Sequence, residues 1–159
     1  MLILGCPKVQ YSDPCCFVCT YINDVKLHLP SKVRHILYED DLQVYCQVSP
    51  EKVLEAIALL SETARNISAW AEGISLWLNH GTTKVIYFGT RTFVNRLDSL
   101  NLSGIGLGNG IITPFVDEVT SLGVILDSRL NWNSHVTTIE KRVNRVLYNL
   151  RFIRHWYRH

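Results

Sequence analysis

Two short apolar, β-rich runs, Val33 to Tyr38 and Leu42 to Val48, are separated only by Glu39-Asp40-Asp41. A gap that short permits an antiparallel hairpin, because a parallel pair needs a crossover of about a dozen residues or more. The second run alternates: Leu42, Val44, Cys46 and Val48 share one face, Gln43, Tyr45 and Gln47 the other. One face of the hairpin is therefore built to be buried. Ser49-Pro50-Glu51 then offers an N-cap, a proline at the first helical position and an early acid. Val53, Ile57, Leu60, Ala64, Ile67 and Ala71 follow at spacings of three and four up to Gly73, which predicts a core-packing helix.

Further strands are predicted at Leu76 to Asn79, at Lys84 to Phe88 before a turn at Gly89, and at Val119 to Leu126 before Asp127-Ser128-Arg129. Residues 101–114 carry four glycines. Gly106-Leu107-Gly108-Asn109-Gly110 has its last glycine misplaced for a dinucleotide fingerprint and no helical pattern after it, so a hairpin turn is the better reading. From the capping candidates Asn131, Asn133 and Ser134, a last helix places Val136, Ile139, Val143, Val146, Leu150 and Ile153 on one stripe. Lys141, Arg142, Arg145, Arg151, Arg154 and Arg158 fill the other positions, making it amphipathic and basic. The expected fold class is α+β: a short antiparallel sheet with one helix packed on it near 50–72, then a hairpin region and a basic helix.

With 47% hydrophobic and 19% charged residues in 159, the chain has the makings of a core and is neither disordered nor low-complexity. No stretch approaches the ~20 apolar residues of a membrane span, and Gly5, Pro7 and Lys8 interrupt the apolar start, so neither an anchor nor a signal peptide is read. Five cysteines, four of them within residues 6–19, suit a reducing compartment better than a disulfide framework. Cys16 and Cys19 form a lone C-x-x-C without a second pair, better read as small buried hydrophobes than as metal ligands. Charge is divided along the chain. Residues 1–132 hold 10 Lys+Arg against 13 Asp+Glu, a net −3, while 133–159 hold 6 against 1, a net +5. The basic end suits either a solvated face or a polyanion.

Tyr38-Glu39-Asp40-Asp41 is the segment able to carry chemistry. Adjacent carboxylates in a hairpin repel unless a cation compensates them, and a hard divalent ion takes such oxygen ligands. Two acids in a turn are also ordinary turn residues. The flanks bear on that choice, because Ile36-Leu37-Tyr38-Glu39-Asp40-Asp41-Leu42-Gln43-Val44-Tyr45 resembles the Tyr-Ala-Asp-Asp-centred palm motif of reverse transcriptases, especially those of LINE-type, non-LTR, jockey-like retrotransposons. Further stretches resemble that family in order: Gly5-Cys6-Pro7 with Pro14, Phe17 and Tyr21-Ile22-Asn23-Asp24; Trp70, Leu76, Leu78, Asn79, Thr83 and Val85 to Gly89; and Leu122 to Asp127 with Leu130, Trp132 and His135.

The resemblance implies a partial right-hand polymerase palm over 1–132 and the start of a thumb, a basic amphipathic helix, over 133–159. The implied activity is RNA-directed DNA polymerisation with two Mg²⁺ (or Mn²⁺) ions, an RNA template, a DNA primer and deoxynucleoside triphosphates. Asp40 and Asp41 would be the catalytic metal ligands, Asp40 the principal one. Tyr38 would lie beside the primer end, and Gly5 and Pro7 in the loop that supports template and nucleotide. Lys141, Arg142, Arg145, Arg151 and Arg154 would follow the nucleic-acid backbone. The resemblance also implies an intracellular, nuclear place of work, and the lack of a long apolar stretch implies no membrane partner.

The chain departs from the family's pattern at four places. A third carboxylate is expected upstream of the chain's first residue, so the upstream part of the polymerase would be a partner. Lys8-Val9-Gln10 replaces the usual Gln-Gly-Ser, Glu39 replaces an alanine, and Thr82 replaces a lysine, with Lys84 two residues on and expected on the same strand face as Thr82. The expectation is a fragment without polymerase activity by itself. The alternative is a non-catalytic nucleic-acid-binding remnant that uses the basic helix.

Overall fold

The computed structural model describes residues 2–5, 23–38, 41–76, 78–108 and 110–156. The Cys16–Cys19 pair lies outside them. Strand β1 (Leu2–Gly5) is followed by a short 3-10 helix, Asn23–His28, and then by the expected hairpin of β2 (Arg34–Tyr38) and β3 (Asp41–Cys46). β2 and β3 pair from Arg34 opposite Tyr45 to Tyr38 opposite Asp41. β1 pairs antiparallel with the other edge of β3, and β4 (Val85–Tyr87) pairs antiparallel with β1, giving the order β2-β3-β1-β4.

The predicted alternation is present. Leu42, Val44 and Cys46 are buried, and Asp41, Gln43 and Tyr45 between them are half-buried. The buried set packs into one core with helix α1 (Val53–Gly73), whose covered stripe is Val53, Ala56, Leu60, Thr63, Ala64, Ile67 and Ala71. The Ser49 hydroxyl makes no capping bond. A single 3-10 turn, Pro50–Lys52, leads into the helix instead, with Lys52 N donating to Ser49 O at 3.0 Å. Burial raises the Cys46 thiol pKa above its usual value, so this cysteine behaves as a small core hydrophobe.

Two differences from the periodicity reading concern strands. Leu76, Leu78 and Asn79 are loop, because the Asn79 carbonyl gathers the turn: it accepts from the backbone N–H and the hydroxyl of both Thr82 and Thr83. Local turn bonding there wins over a short apolar run. The run Val119 to Leu126 is two strands, β7 (Glu118–Ser121) and β8 (Val124–Asp127), folded back at Leu122-Gly123. Both turn residues take positive φ, 49° and 82°, the combination that a two-residue hairpin turn needs. Only Gly123 signals it in the sequence, since leucine is a poor turn former.

A helix that the sequence pattern does not announce, α2 (Arg91–Ser99), follows Gly89; the Thr90 hydroxyl accepts from Phe93 N at 3.4 Å as its cap. The glycine-rich region is the expected hairpin, β5 (Ile105–Gly108) with β6 (Ile111–Thr113), and β5 packs on α1. Ser68 donates to Leu107 O at 3.0 Å, and Ser61 accepts from Gly106 N at 3.3 Å. Gly104 has φ +129°, and a Cβ there would come within 2.2 Å of the Thr113 carbonyl oxygen, so this turn needs glycine. The last element is α3 (Asn133–Trp156). The molecule thus combines helices with short antiparallel sheets, as expected for its fold class.

Tyr87 links β4 to α2 by donating its hydroxyl to Asp98 Oδ1, with its ring against Phe115. Burial, then the Asp98 bond, raise the phenol pKa above the reference 10.0. A phenol kept neutral by folding contributes stability that is complete below the unfolded-state pKa and is lost as pH rises beyond it. Chemical-denaturation midpoints are expected to fall above about pH 10, and less steeply in Tyr87→Phe. An identical alkaline slope in that variant would remove Tyr87 as the source.

Candidate functional site

β3 sorts its residues between two environments. Leu42, Val44 and Cys46 face α1, so Asp41, Gln43 and Tyr45 occupy the opposite, open face. Cross-strand pairing adds Tyr38, Ile36 and Arg34 to that face, opposite Asp41, Gln43 and Tyr45 respectively. Tyr38 is 51% exposed and Ile36 49%, whereas Ile86, which the register places on the same face, is 0% exposed, so this face is open along β2 and covered towards β4. Asp41 is thus the first ladder residue of β3, paired with an exposed aromatic. Asp40, which precedes it, and Pro7 lie outside the described residues.

The sheet order brings two distant segments to the same end. Gly5 is opposite Gln43, so β1 ends two residues short of the level of Asp41. Val85 is opposite Leu4, and continuing that register by one residue sets Lys84 beside Gly5. Lys84 is exposed between buried Thr83 and Val85, and alternation assigns it to the open face with Gln43 and Asp41. Two strand spacings separate β4 from β3, roughly 10 Å. Tyr38, Asp41, Gly5 and Lys84 therefore share one end of the sheet. Lys84 was visible in the sequence only as a neighbour of Thr82, because the register that carries it there is set by β1.

A second route leads into this face from α3. Gln43 Nε2 donates to Ser121 Oγ at 2.7 Å, tying the β7–β8 hairpin to the middle of β3. The backbone N–H of Ile125 donates to His135 Nδ1 at 3.3 Å, which ties the first turn of α3 to β8. The Trp132 and His135 rings meet edge to face at that corner. Nothing in the sequence distinguished Gln43 or Ser121 from other polar strand residues.

On α3, Lys141, Arg142 and Arg145 project within one 100° arc, while Arg151 and Arg154 lie on other sides; all five are exposed. All five cations thus lie along a single exposed helix.

A divalent ion at the acidic tip would find hard oxygen donors of the right kind in Asp40 and Asp41. Among the described residues no group of three or more His, Cys, Asp or Glu side chains forms a ligand set. Two carboxylates fill only part of a divalent ion's shell, which water and further oxygen donors would have to complete. No helix among the described residues is long and apolar enough to cross a membrane.

Fold and site together define a mixed helix-and-sheet chain with an acidic hairpin tip at one end of an open sheet face. Comparison with protein-family models, curated proteins and solved structures returned no match.

Proposed function

We propose that this chain is a segment of a polymerase palm running into the thumb, from a retrotransposon reverse transcriptase of the LINE type, whose parent activity is RNA-directed DNA synthesis. The observation that carries the reading is the pairing of Tyr38 with Asp41 at the open-face end of a tight hairpin, with Gly5 and Lys84 at the same end of the sheet. Asp40 and Asp41 would hold Mg²⁺ or Mn²⁺, which when bound supplies charge neutralisation for a nucleotide triphosphate and activates a primer hydroxyl. The chain's own residues then have separable tasks. Tyr38 offers an exposed aromatic surface beside the primer end, Lys84 a cation for phosphate oxygens, and Gly5 a side-chain-free approach to the nucleotide. The α3 cations follow the duplex backbone.

Two carboxylates leave much of each ion's shell to other ligands, so the segment by itself is expected to bind ion and nucleotide without extending a primer. The test is Mn²⁺-induced NMR broadening around Tyr38 and Asp41, with and without a deoxynucleoside triphosphate, beside primer extension on an RNA template. Broadening localised there and strengthened by the nucleotide supports the reading. Broadening elsewhere sinks it.

The exposed cations of α3 favour a second reading, a nucleic-acid-binding remnant without catalysis. It predicts RNA or DNA affinity that falls steeply with salt and does not change in Asp40→Ala. Replacing Lys141, Arg142 and Arg145 by glutamate is expected to reduce the magnitude of the log–log salt slope by about three, one for each phosphate left without its cation. A slope that stays the same would move the interface off α3.

A further inference from the structure

α3 leaves its apolar stripe without a partner. Val136, Ile139, Val143, Val146, Leu150 and Ile153 are each between 44% and 59% exposed. Their spacings, 3, 4, 3, 4 and 3, are those of the a and d positions of a heptad seam. The helix packs mainly against β8, through the turn that carries His135, so the stripe extends clear of the body.

We propose that this seam is closed by the same helix of a second copy of the chain, in an antiparallel pair. The sequence is self-complementary about its midpoint. Val136 falls opposite Ile153, Ile139 opposite Leu150 and Val143 opposite Val146, and the two-fold axis repeats each layer, so all six residues of both copies are used. The flanks agree with that register: Arg142 meets Asn149 of the second copy, and Glu140 lies within reach of Leu147 and Arg154, so no like charges are opposed. Lys141 and Arg145 point away from the seam and remain free in the pair. Antiparallel packing also sets the two bodies at opposite ends of a rod about 36 Å long. Burying the stripe of both copies removes about 1,200 Å² from water, the lower bound for a stable specific interface.

Sedimentation of the full chain from about 1 to about 200 μM tests this. The expected result is a reversible monomer–dimer equilibrium that tightens with salt, because each helix carries five cations against one carboxylate. That is the opposite of the salt response of nucleic-acid binding, so the two properties separate in one titration. Val143→Asp with Val146→Asp should leave only monomer. Val143→Ile with Val146→Leu adds methylenes to the central layers and should tighten the dimer at least about tenfold while keeping the helix intact by circular dichroism. A wild-type chain that stays monomeric throughout, as it would if the seam belonged to a different partner, overturns the proposal. So does a dimer that survives the aspartate variant.

Discussion

Replacing Asp40 and Asp41 together by alanine is expected to lower divalent-ion affinity in the presence of a deoxynucleoside triphosphate by at least about a hundredfold. Removing residues that only orient metal ligands already costs about 10- to 100-fold, and here the ligands themselves would go. The readout is the Mn²⁺ concentration that broadens the Tyr38 and Asp41–Leu42 amide signals. The fold should survive, because Asp41 sits on the open face and the α1 core does not include it. In a complete enzyme containing this segment, the same double substitution should slow primer extension by at least about a thousandfold, or about 4 kcal/mol of transition-state stabilisation. Unchanged ion binding in the double variant would return the acidic pair to the status of turn residues, leaving the basic helix as the functional surface.

Leu60→Ala is expected to be among the most destabilising single substitutions. Leu60 is fully buried in the middle of α1, in the core that also holds Val44 of the sheet and Ile105 of the β5–β6 hairpin. Deleting such a side chain costs the transfer free energy of the lost methylenes plus the cavity left behind, about 3–5 kcal/mol. For a domain of ordinary stability, about 5–15 kcal/mol, that is about a fifth or more of the total. Urea unfolding should show a lower midpoint with an unchanged slope. A loss below about 1 kcal/mol would mean that α1 is less firmly packed than its burial indicates.

The hairpin and the long helix were legible because each is a local pattern with one strong period. Leu42, Val44 and Cys46 repeat every second residue, and Val53 to Ala71 repeat every three to four. Their faces were correct for the same reason, with one adjustment: Ala56 and Thr63 complete the buried stripe, and Ile57 lies at its edge. The helix over Arg91–Ser99 was missed because only Val94 and Leu97 are buried in it, too few for a period to register. The β7–β8 turn was missed because Leu122 adopts a positive φ that its side chain does not advertise.

Residue order alone specifies the strongly periodic elements and the chemistry available to them: an acidic segment between two strands, a stripe for one core, and a basic amphipathic helix. Each of these follows from residue spacing over fewer than about 25 positions, where covalent geometry and backbone hydrogen bonding fix the period. Which distant segments meet is settled only in the folded chain. β1 inserts between β3 and β4, so Gly5 and Lys84 reach the end of the sheet that carries Asp41, and Gln43 meets Ser121 across 78 residues of chain. Strand order and register of that kind depend on which faces bury the most apolar surface together, and that is a property of the whole chain rather than of any local run.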